Sequence, residues 1–348
     1  MNVGVYTECL SSAYTGVEVY THSLVEGLSK TGNEVTCFHS KSSRHPVFEG
    51  VRNYEFRKAL PVPFYHRFAA LFHNSCFDNL DVLHLPLPQF PYVKKPKVPV
   101  VVTVHDLIPL FMPEYHNWKR NVYFRTLLPW YLKKVDAVIA VSSCTKSDLL
   151  RYYKIPEGKI HVVHDPLPPV KYVKRKKEDY ILYHGTLEPR KNVEGVIKAF
   201  SLLRSKGFQH RLVISGGKGW KYENILRMIR NTEGVEFKGY VNGDEKDELI
   251  GKAQALVWPS FYEGFGLPVL EAMALGTPVV TSNTSSLPEV VGDAGVLVNP
   301  YDVQSIADGI ELSLSSSKSL IRKGLRRAKL FTAERMTEKI LDVYEGVV

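Results

Sequence analysis

The chain has 348 residues, of which 44% are hydrophobic and 23% are charged, and its formal net charge is +9. This length allows two domains with separate cores, and the composition is that of an ordinary globular protein. The sequence contains no apolar run of about 18 residues, as a transmembrane helix requires, and residues 1–10 lack a signal-peptide pattern, so we expect a cytoplasmic protein.

The charge and the cysteines exclude several classes of function. A net charge of +9 favours anionic partners. No helix-turn-helix, zinc-finger or ribonucleoprotein motif accompanies the charge, so we expect no nucleic-acid partner, whereas anionic lipids and phosphorylated substrates remain. The cysteines lack C-x-x-C spacing, which argues against a zinc site and a disulfide framework. They are Cys9, Cys37, Cys76 and Cys144.

In the first half of the chain, apolar strand patterns alternate with amphipathic helix patterns. This alternation predicts a doubly wound α/β sheet. The first loop leads into a helix that begins at Gly16, and a strand followed by a helix N-terminus is a candidate anion site. The predicted strands are 3–6, 34–39, 81–85, 98–105, 136–141 and 159–163, and the predicted helices are 16–30, 118–134 and 146–153.

His105 is a candidate functional residue because of its position. The run 98–105 is apolar almost throughout, as is typical of a parallel strand that is buried on both faces. It ends in His105-Asp106, at the carboxyl end of a strand, where open α/β sheets bind their ligands. A lone histidine is more often structural, but this location favours a functional role.

Two segments, 52–72 and 118–134, mix basic with aromatic residues. Such a mixture suits the interface of an anionic membrane. The alternative for 52–72 is a pair of ordinary helices whose aromatic side chains face the core. Prolines at 61 and 63 exclude one continuous amphipathic helix in this segment.

A proline-rich, basic stretch separates the first half from the second. Residues 166–179, PLPPVKYVKRKKED, contain three prolines and little apolar periodicity. This composition indicates an exposed linker. The predicted domains are therefore residues 1–165 and 180–331.

A second alternating series begins with the strand 180–184. In the loop that follows, 185–192, Arg190 and Lys191 stand beside a helix N-terminus, where cations reinforce an anion site. A surface Arg-Lys pair usually has no function, but a position after a strand favours diphosphate binding. Further strands are predicted at 211–215, 235–241, 255–258, 277–281 and 295–298, and further helices at 244–252, 268–276, 303–314 and 320–348.

Residues 256–280, LVWPSFYEGFGLPVLEAMALGTPVV, are the most specific stretch of the chain. Glu263 lies in a loop at the carboxyl end of a strand, and Glu271 lies eight positions later, about one turn into the following helix. Gly264 and Gly266 allow backbone N–H groups to approach an anion closely. An anion site between two carboxylates that bind hydroxyls suits a nucleotide-sugar. The alternative is a strand–loop–helix unit with surface glutamates.

Three strings resemble the signatures of one family. E-G-F-G-L-P-V-L-E at 263–271 resembles the donor-site signature of the retaining family-4 glycosyltransferases. G-T-L-E-P-R-K-N at 185–192 resembles their phosphate-binding loop, although some members carry arginine where this chain has Thr186. TVHDLIPLFMPEYH at 103–116 resembles their segment with a histidine beside the donor sugar.

The resemblance implies the GT-B architecture. In this architecture two Rossmann-like doubly wound domains face a central cleft, the first for the acceptor and the second for the nucleotide-sugar donor. The resemblance also implies that a C-terminal helix at about 332–348 packs back on the first domain.

The implied activity is a metal-independent transfer of a hexose, with retention at the anomeric carbon, from a nucleoside diphosphate sugar to a glycan hydroxyl. Glu271 would bind the ribose, Arg190 and Lys191 would neutralise the diphosphate, and Glu263 and His105 would hold the sugar. No metal or other cofactor is expected, and mannose is favoured as the sugar. The remaining candidate donor-binding residues are Gly264, Phe265, Gly266, Leu267, Gly16, Gly216 and Val241.

Two alternative functions stay open at this point. A nucleotide-sugar 2-epimerase on the same fold would need no acceptor, and a non-catalytic, membrane-associated protein would bind a nucleotide-sugar without turnover. The aromatic and basic segments indicate a lipid-linked acceptor and a peripheral position on the inner face of a membrane.

Overall fold

The computed structural model describes residues 1–10, 16–39, 46–55, 74–89, 95–115 and 118–348. The chain forms two compact units. Unit 1 comprises Met1–Pro166 together with Thr332–Val348, and unit 2 comprises Leu167–Phe331. Within the described ranges, no helix combines the length and the apolar character that crossing a membrane requires.

Unit 1 is built on a seven-stranded parallel sheet. Its strands are β1 (Asn2–Tyr6), β2 (Glu34–His39), β3 (Arg52–Glu55), β4 (Val82–Leu85), β5 (Val100–Val104), β6 (Ala137–Ala140) and β7 (Ile160–Val162). Its helices include α1 (Gly16–Lys30), α2 (Ile108–Phe111), α3 (Trp118–Val122), α4 (Leu128–Lys134) and α5 (Ser143–Asp148), with π-helical turns at Tyr123–Leu127 and Leu149–Tyr153. The strand order is β3-β2-β1-β4-β5-β6-β7, which is the predicted doubly wound arrangement.

The central strands are apolar because both faces of the sheet are covered. Val100, Val102 and Val104 pack in one hydrophobic cluster, whereas the alternate residue Val101 packs in a second cluster. Side chains of a strand alternate between the two faces of its sheet, so each face has its own core.

The first four residues of the segment 52–72 form strand β3, so the helical alternative does not hold for them. Its four residues are exposed and pair with β2 at the edge of the sheet, so they are not helical. The Tyr54 ring lies 5.4 Å from the Phe38 ring, and Arg52 lies 2.9 Å from Glu34. These cross-strand pairs stabilise the edge. Residues 56–72, which carry most of the proposed membrane segment, lie outside the described residues.

The final helix, Ala333–Glu345, is tied to the sheet of unit 1 by buried polar groups. Tyr344 Oη lies 2.5 Å from His84 Nδ1, and His84 Nε2 lies 2.8 Å from Thr103 Oγ1. Tyr20 Oη, on α1, lies 2.8 Å from the same Thr103 oxygen. Burial lowers the pKa of His84 to about 3, so the ring is neutral and each nitrogen forms one of these bonds.

Unit 2 repeats the plan with a six-stranded parallel sheet. Its strands are β8 (Tyr180–His184), β9 (Arg211–Ser215), β10 (Val235–Gly239), β11 (Leu256–Trp258), β12 (Val279–Ser282) and β13 (Val296–Val298). Its helices are α6 (Val193–Ser205), α7 (Glu223–Asn231), α8 (Gly243–Lys252), α9 (Leu267–Ala274), α10 (Leu287–Val291), α11 (Val303–Ser315) and α12 (Ser317–Ala328). The strand order is β10-β9-β8-β11-β12-β13.

The predicted helix over 320–348 is two helices. α12 ends at Ala328, and Thr332 caps the final helix, α13, by accepting a hydrogen bond from the Arg335 N–H at 3.2 Å. A side-chain cap of this kind starts a new helix and therefore separates the two.

The segment that the sequence predicts as a linker begins unit 2. Most of its basic side chains are exposed, but Lys177 is half-buried. Its ammonium donates to the carbonyls of Gly251 and Gly276 and to the Thr277 hydroxyl, each at 3.0 Å. Burial lowers the pKa of Lys177 to about 8. One lysine of the basic run therefore anchors the segment to the unit.

The strand order of each sheet reverses beside the first strand of the unit. In unit 2, β9 and β11 flank β8 on opposite sides. Open α/β sheets bind ligands outside the carboxyl ends of their strands, at such a switch point. The loops after β8 and β11 meet there, and they carry half of the predicted site residues.

Candidate active site

Asn192 holds the loop after β8 against two other loops. Its backbone is left-handed, with φ 56°, and its Oδ1 accepts the Gly195 N–H at 3.2 Å at the start of α6. Its Nδ2 donates to the carbonyls of Pro259 and Pro300, at 3.1 and 2.7 Å. Because Asn192 is buried, these bonds fix the preceding turn, Pro189–Lys191.

Arg190 connects the same loop to the loop after β11. Its Nη1 lies 3.0 Å from Glu263 Oε2 and donates to the Tyr262 carbonyl at 2.7 Å. Its Nη2 lies 3.4 Å from Glu188 Oε2, and its carbonyl accepts the Phe261 N–H at 3.0 Å. The structure therefore brings Arg190 and Glu263 into direct contact, with Arg190 only 9% exposed.

Hydroxyl groups hold the Glu263 loop in place. The Ser260 hydroxyl donates to Glu263 Oε1 at 2.9 Å, and the Glu263 N–H donates to Ser285 Oγ at 3.1 Å. The Ser286 hydroxyl lies 2.9 Å from the Glu263 carbonyl and 2.7 Å from the Phe265 carbonyl. A carboxylate held in this way is preorganised for a ligand.

Lys191 is the cation of this cluster that is available to bind an anion. Arg190 contacts two glutamates, whereas Lys191 forms no ion pair with any residue that the structure describes, and its Nζ lies 5.0 Å from the centroid of the Trp258 ring. Burial lowers the pKa of Lys191, although Glu263 opposes this effect. Burial would raise the pKa of Glu263, but Arg190 and Lys191 outweigh it and the pKa is lowered, so Glu263 is ionised.

The first turn of α9 provides backbone donors beside Glu263. Gly266 has φ 118° and precedes the helix, and its carbonyl accepts the Val269 and Leu270 N–H groups. The N–H groups of Gly266 and Leu267 have no acceptor inside the helix and lie at the positive end of its dipole. The Phe265 ring packs 5.6 Å from Phe331, so this residue offers its backbone rather than its ring.

Glu271 lies on α9, one turn inside the helix, and is buried. Its Oε1 lies 2.5 Å from the ammonium of Lys246 on α8. Burial raises the pKa of Glu271, and Lys246 offsets only part of the rise. Lys246 was not among the predicted site residues.

Gly216 and Gly185 are required by close packing. Gly185 has φ 153°, and a Cβ there would lie 2.3 Å from the Trp258 ring. Gly216 has φ 144°, and a Cβ there would lie 1.9 Å from the Gly185 carbonyl oxygen. Both conformations favour glycine. Close packing alone therefore requires glycine at position 216. A role of Gly216 in nucleotide binding stays a prediction.

His105 lies at the end of β5, in unit 1. Its Nε2 donates to the Pro86 carbonyl at 3.0 Å, and its Nδ1 lies 3.7 Å from Asp165 Oδ1. The Tyr20 ring packs edge-on at 5.0 Å. Burial would lower the pKa of His105, but Asp165 and the Pro86 carbonyl outweigh it, so the pKa is raised. Both ring nitrogens therefore face protein oxygens.

Two further predicted residues belong to neither the loop after β8 nor the loop after β11. Gly16 starts α1 in unit 1, and the loop before it, 11–15, lies outside the described residues. Val241 is buried after β10. In the described ranges, no group of three or more His, Cys, Asp or Glu side chains has the arrangement of a metal site.

Several residues of this arrangement escaped the sequence predictions. Lys246 and Asp165 each pair with a predicted residue across a long stretch of chain, and no local motif indicates such a pair. The loop hydroxyls had a weak signal, because Ser285-Ser286 follows a predicted strand. The missed residues are Asn192, Ser260, Ser285, Ser286, Lys246 and Asp165.

Comparison with known families agrees with this site. The "Glycosyltransferase Family 4" model matches residues 14–169, and the "Glycosyl transferases group 1" model matches residues 168–327. The second match contains Arg190, Lys191, Glu263 and Glu271.

Individual proteins give the same result. The O-antigen chain mannosyltransferase B of Escherichia coli is 36% identical over 265 residues, which are 70% of each chain. The O-antigen chain mannosyltransferase RfbU of Salmonella typhimurium is 33% identical over 214 residues, 60% of this chain and 59% of that one. The sucrose-phosphate synthase structure from Thermosynechococcus elongatus, at 20% identity, matches the fold with a TM-score of 0.76 over 99% of this chain and 98% of that chain. The chain therefore belongs to the glycosyltransferases of family 4 and group 1, and it is an enzyme with the GT-B fold.

Proposed function

We propose that the enzyme transfers a hexose, preferably mannose, from a nucleoside diphosphate sugar to a glycan hydroxyl, without a metal and with retention of configuration. One observation carries this proposal. Within unit 2, Lys191, Glu263 and the first N–H groups of α9 lie around the strand ends, and Glu271 follows one turn later. Glu263, then Lys191 with the N–H groups, and then Glu271 would face the hexose, the diphosphate and the ribose of a donor, in the order in which these parts are joined.

The proposed mechanism uses fixed charge to stabilise the leaving group. The bond between the anomeric carbon and the phosphate oxygen breaks, and negative charge develops on the diphosphate. Lys191 and the N–H groups of Gly266 and Leu267 would stabilise that charge, as preorganised donors do in other enzymes. Arg190 would act mainly by holding Glu263, because its donors already contact Glu263, Tyr262 and Glu188.

Retention requires the acceptor oxygen to bond to the anomeric carbon on the face that the phosphate leaves. The proton of the acceptor hydroxyl would pass to the departing phosphate oxygen, so no separate carboxylate base is needed. Glu263 would orient the hexose hydroxyls through its ionised carboxylate. We keep His105 as a proposed contributor to holding the sugar.

Mannose is the proposed sugar because two relatives that share at least 33% identity with this chain are named as mannosyltransferases. Both are O-antigen chain enzymes by name, which supports a glycan acceptor. The names of these relatives specify the sugar but not the nucleoside of the donor. We therefore test GDP-mannose first.

The experiment combines a binding screen with a transfer assay. GDP-mannose, UDP-glucose, UDP-N-acetylglucosamine and ADP-glucose are compared by thermal shift, since a ligand of the native state raises the unfolding temperature. We expect GDP-mannose to give the largest shift and to be consumed when a mannose-terminated oligosaccharide is added. Proton NMR of the product should show the donor's anomeric configuration, and EDTA should leave the rate unchanged.

Other outcomes would contradict the proposal. An epimerised sugar formed from donor alone would identify an epimerase. Inversion at the anomeric carbon, or loss of activity in EDTA that added Mg²⁺ restores, would overturn the proposed mechanism.

A surface of unit 1 supports a lipid-linked acceptor. Around α3 and α4, large apolar side chains are exposed beside basic ones; for example, Trp118 is 70% exposed and Trp130 is 47% exposed. Lys134 Nζ lies 3.3 Å from the centroid of the Trp130 ring. Exposed indoles beside lysines suit the headgroup region of an anionic bilayer. The other members of this surface are Lys119, Arg120, Val122, Arg125, Leu127 and Lys133.

Vesicle flotation tests the membrane part. We expect the protein to float with phosphatidylglycerol vesicles at low salt, and not with phosphatidylcholine vesicles. The double variant Trp118→Ala, Trp130→Ala should lose most of this binding. Trp220→Ala is the control, because Trp220 is a 50% exposed tryptophan in unit 2. No flotation on anionic vesicles, or an equal loss in the control, would remove the membrane from the proposal.

A further inference from the structure

Lys246 is a cation that the motif of this family does not include, yet it contacts the predicted ribose carboxylate. It lies on α8, and its Nζ is 2.5 Å from Glu271 Oε1 on α9. Both side chains are largely buried, at 21% and 9% exposure. In the described part of the chain, no other donor lies within hydrogen-bond distance of the Glu271 carboxylate.

We propose that Lys246 is a positioning residue for the donor: it holds Glu271 by one carboxylate oxygen and leaves the other oxygen for the ribose hydroxyls. This inference rests on the proposed function, in which Glu271 binds the ribose. Lys246 acts through Glu271 and does not itself touch the reacting atoms.

The contact between Lys246 and Glu271 restricts the geometry of the carboxylate. Glu271 has several rotatable bonds, and a free side chain would lose that freedom when a nucleotide binds. The bond to Lys246 fixes the carboxylate before binding. A ribose diol presents two hydroxyl donors, and an ionised carboxylate has acceptor sites to spare after one contact with an ammonium.

Lys246 also affects the charge of Glu271. Burial raises the pKa of Glu271, and the nearby Asp247 carboxylate raises it further. His184, on β8, brings no compensating charge, because burial first, and then Lys246 and Lys191, lower its pKa to about 4. Lys246 is therefore the group that favours the ionised form of Glu271. Hydrogen bonds to an ionised carboxylate are about twice as strong as those to a neutral group.

A competing role for Lys246 is direct contact with the diphosphate. The two roles differ in the part of the nucleotide that they need. If Lys246 acts through Glu271, its effect disappears when the ribose lacks hydroxyls. If Lys246 binds phosphate, its effect does not depend on the ribose.

Isothermal titration calorimetry of wild type and Lys246→Met with GDP and with 2′,3′-dideoxy-GDP separates these roles. UDP and its dideoxy form are used in parallel. We expect Lys246→Met to weaken binding of the ribonucleotide about tenfold and binding of the dideoxy nucleotide less than about twofold. An equal loss for both ligands, or no loss for either, would overturn the inference.

Lys252→Met is the matched control. It removes one positive charge from the same helix, but Lys252 pairs with Glu248 and Glu178 rather than with Glu271. We expect it to bind both ligands like wild type. A loss as large as that of Lys246→Met would mean that the net charge of α8, and not the contact with Glu271, determines affinity, which would contradict the inference.

A second measurement, of the pKa of Glu271, needs no ligand. Carbon-13 NMR titration of the Glu271 carboxyl should show a higher pKa in Lys246→Met than in wild type. As the pH is lowered, the affinity of the variant for GDP should then begin to fall at a higher pH than that of wild type. An unchanged pKa would overturn the inference about Lys246. Failure of wild type to bind GDP, UDP or ADP would instead overturn the proposed function.

Discussion

The two sheets share one plan, but their polar residues are used in different ways. In unit 1, His84 and His105 each have both ring nitrogens facing protein oxygens, and these contacts extend from β4 and β5 to the final helix. In unit 2, Glu263 and Glu271 each face one cation, and Lys191 has no ion pair in the described residues. The two histidines of unit 1 are thus saturated by protein partners, whereas the charged groups of unit 2 keep fewer partners within the described residues.

This difference shows that the topology alone does not determine function. Parallel sheets with the same switch point provide an edge where loops meet, but the side chains at that edge decide what is done there. Unit 2 places its charges on separate loops that Asn192 and the serine hydroxyls hold together. Four changes test the contrast, beginning with the largest expected effect.

The first change is Lys191→Met. We expect kcat/KM for transfer to fall about 100- to 1,000-fold, because one preorganised donor to the leaving group is lost. Steady-state kinetics with GDP-mannose measures this, and circular dichroism checks the fold. Lys198→Met, an exposed site on α6, is the control and should keep wild-type kinetics. Equal activity of both variants would remove Lys191 from the site.

The second change is Gly216→Ala, which tests packing in unit 2. We expect a loss of about 2–4 kcal/mol in the free energy of unfolding of this unit, because the new methyl group meets a carbonyl oxygen and the positive φ is strained. Gly217→Ala is the control, since a Cβ there meets only the Tyr240 ring, at 3.9 Å. Urea unfolding followed by Trp258 fluorescence distinguishes them. Equal stability would contradict the close packing.

The third change is Tyr344→Phe, which tests the polar network of unit 1. We expect a loss of about 1–3 kcal/mol, because His84 Nδ1 is left buried without its partner. Hydrogen–deuterium exchange should accelerate in α13 and β4, and not in peptides of unit 2. Tyr240→Phe, at a 67% exposed site in unit 2, should change neither. Unaltered exchange in α13 would show that the contact does not stabilise unit 1.

The fourth change is Asp165→Asn, which concerns charge in unit 1. Asp165 raises the pKa of His105, so the variant should lower that pKa, as expected for loss of a neighbouring carboxylate. Asp106→Asn is the control: Asp106 has a weaker effect on His105, and its Oδ1 accepts the Ile108 N–H. Nitrogen-15 NMR titration of the imidazoles measures both, and an equal shift in the two variants would contradict the pairing.

The two histidines of unit 1 have opposite effects on stability as pH changes. The pKa of His105 is raised in the folded state, so its contribution is complete at low pH and is lost as the pH rises through that pKa. The pKa of His84 is lowered to about 3 in the folded state. Its contribution to stability is therefore complete at a pH above the ordinary pKa of histidine, and it is lost as the pH falls toward 3. Acid unfolding of unit 1 should therefore begin with His84, and in the NMR titration His84 should stay neutral down to about pH 4.

Local patterns predicted much of the molecule. Strands such as β8 and β9 have the predicted bounds because a buried parallel strand is an apolar run that ends at polar residues. Glu263 and Glu271 were found because their loop and helix are contiguous. Partners that arrive from distant segments were not predictable: Lys246 and Asp165 resemble ordinary surface charges in the sequence. Strand β3 was missed because its residues are exposed and carry no apolar signal.

The bond between Tyr344 and His84 has a consequence for the order of folding. Unit 1 is discontinuous: its last segment, Thr332–Val348, follows all of unit 2 in the chain. During synthesis, unit 2 is complete before the partner of His84 exists. We therefore expect the usual sequence, in which the N-terminal domain folds first, to be reversed here. A nascent chain that ends at residue 331 would carry a complete unit 2 attached to a unit 1 that still lacks its last helix.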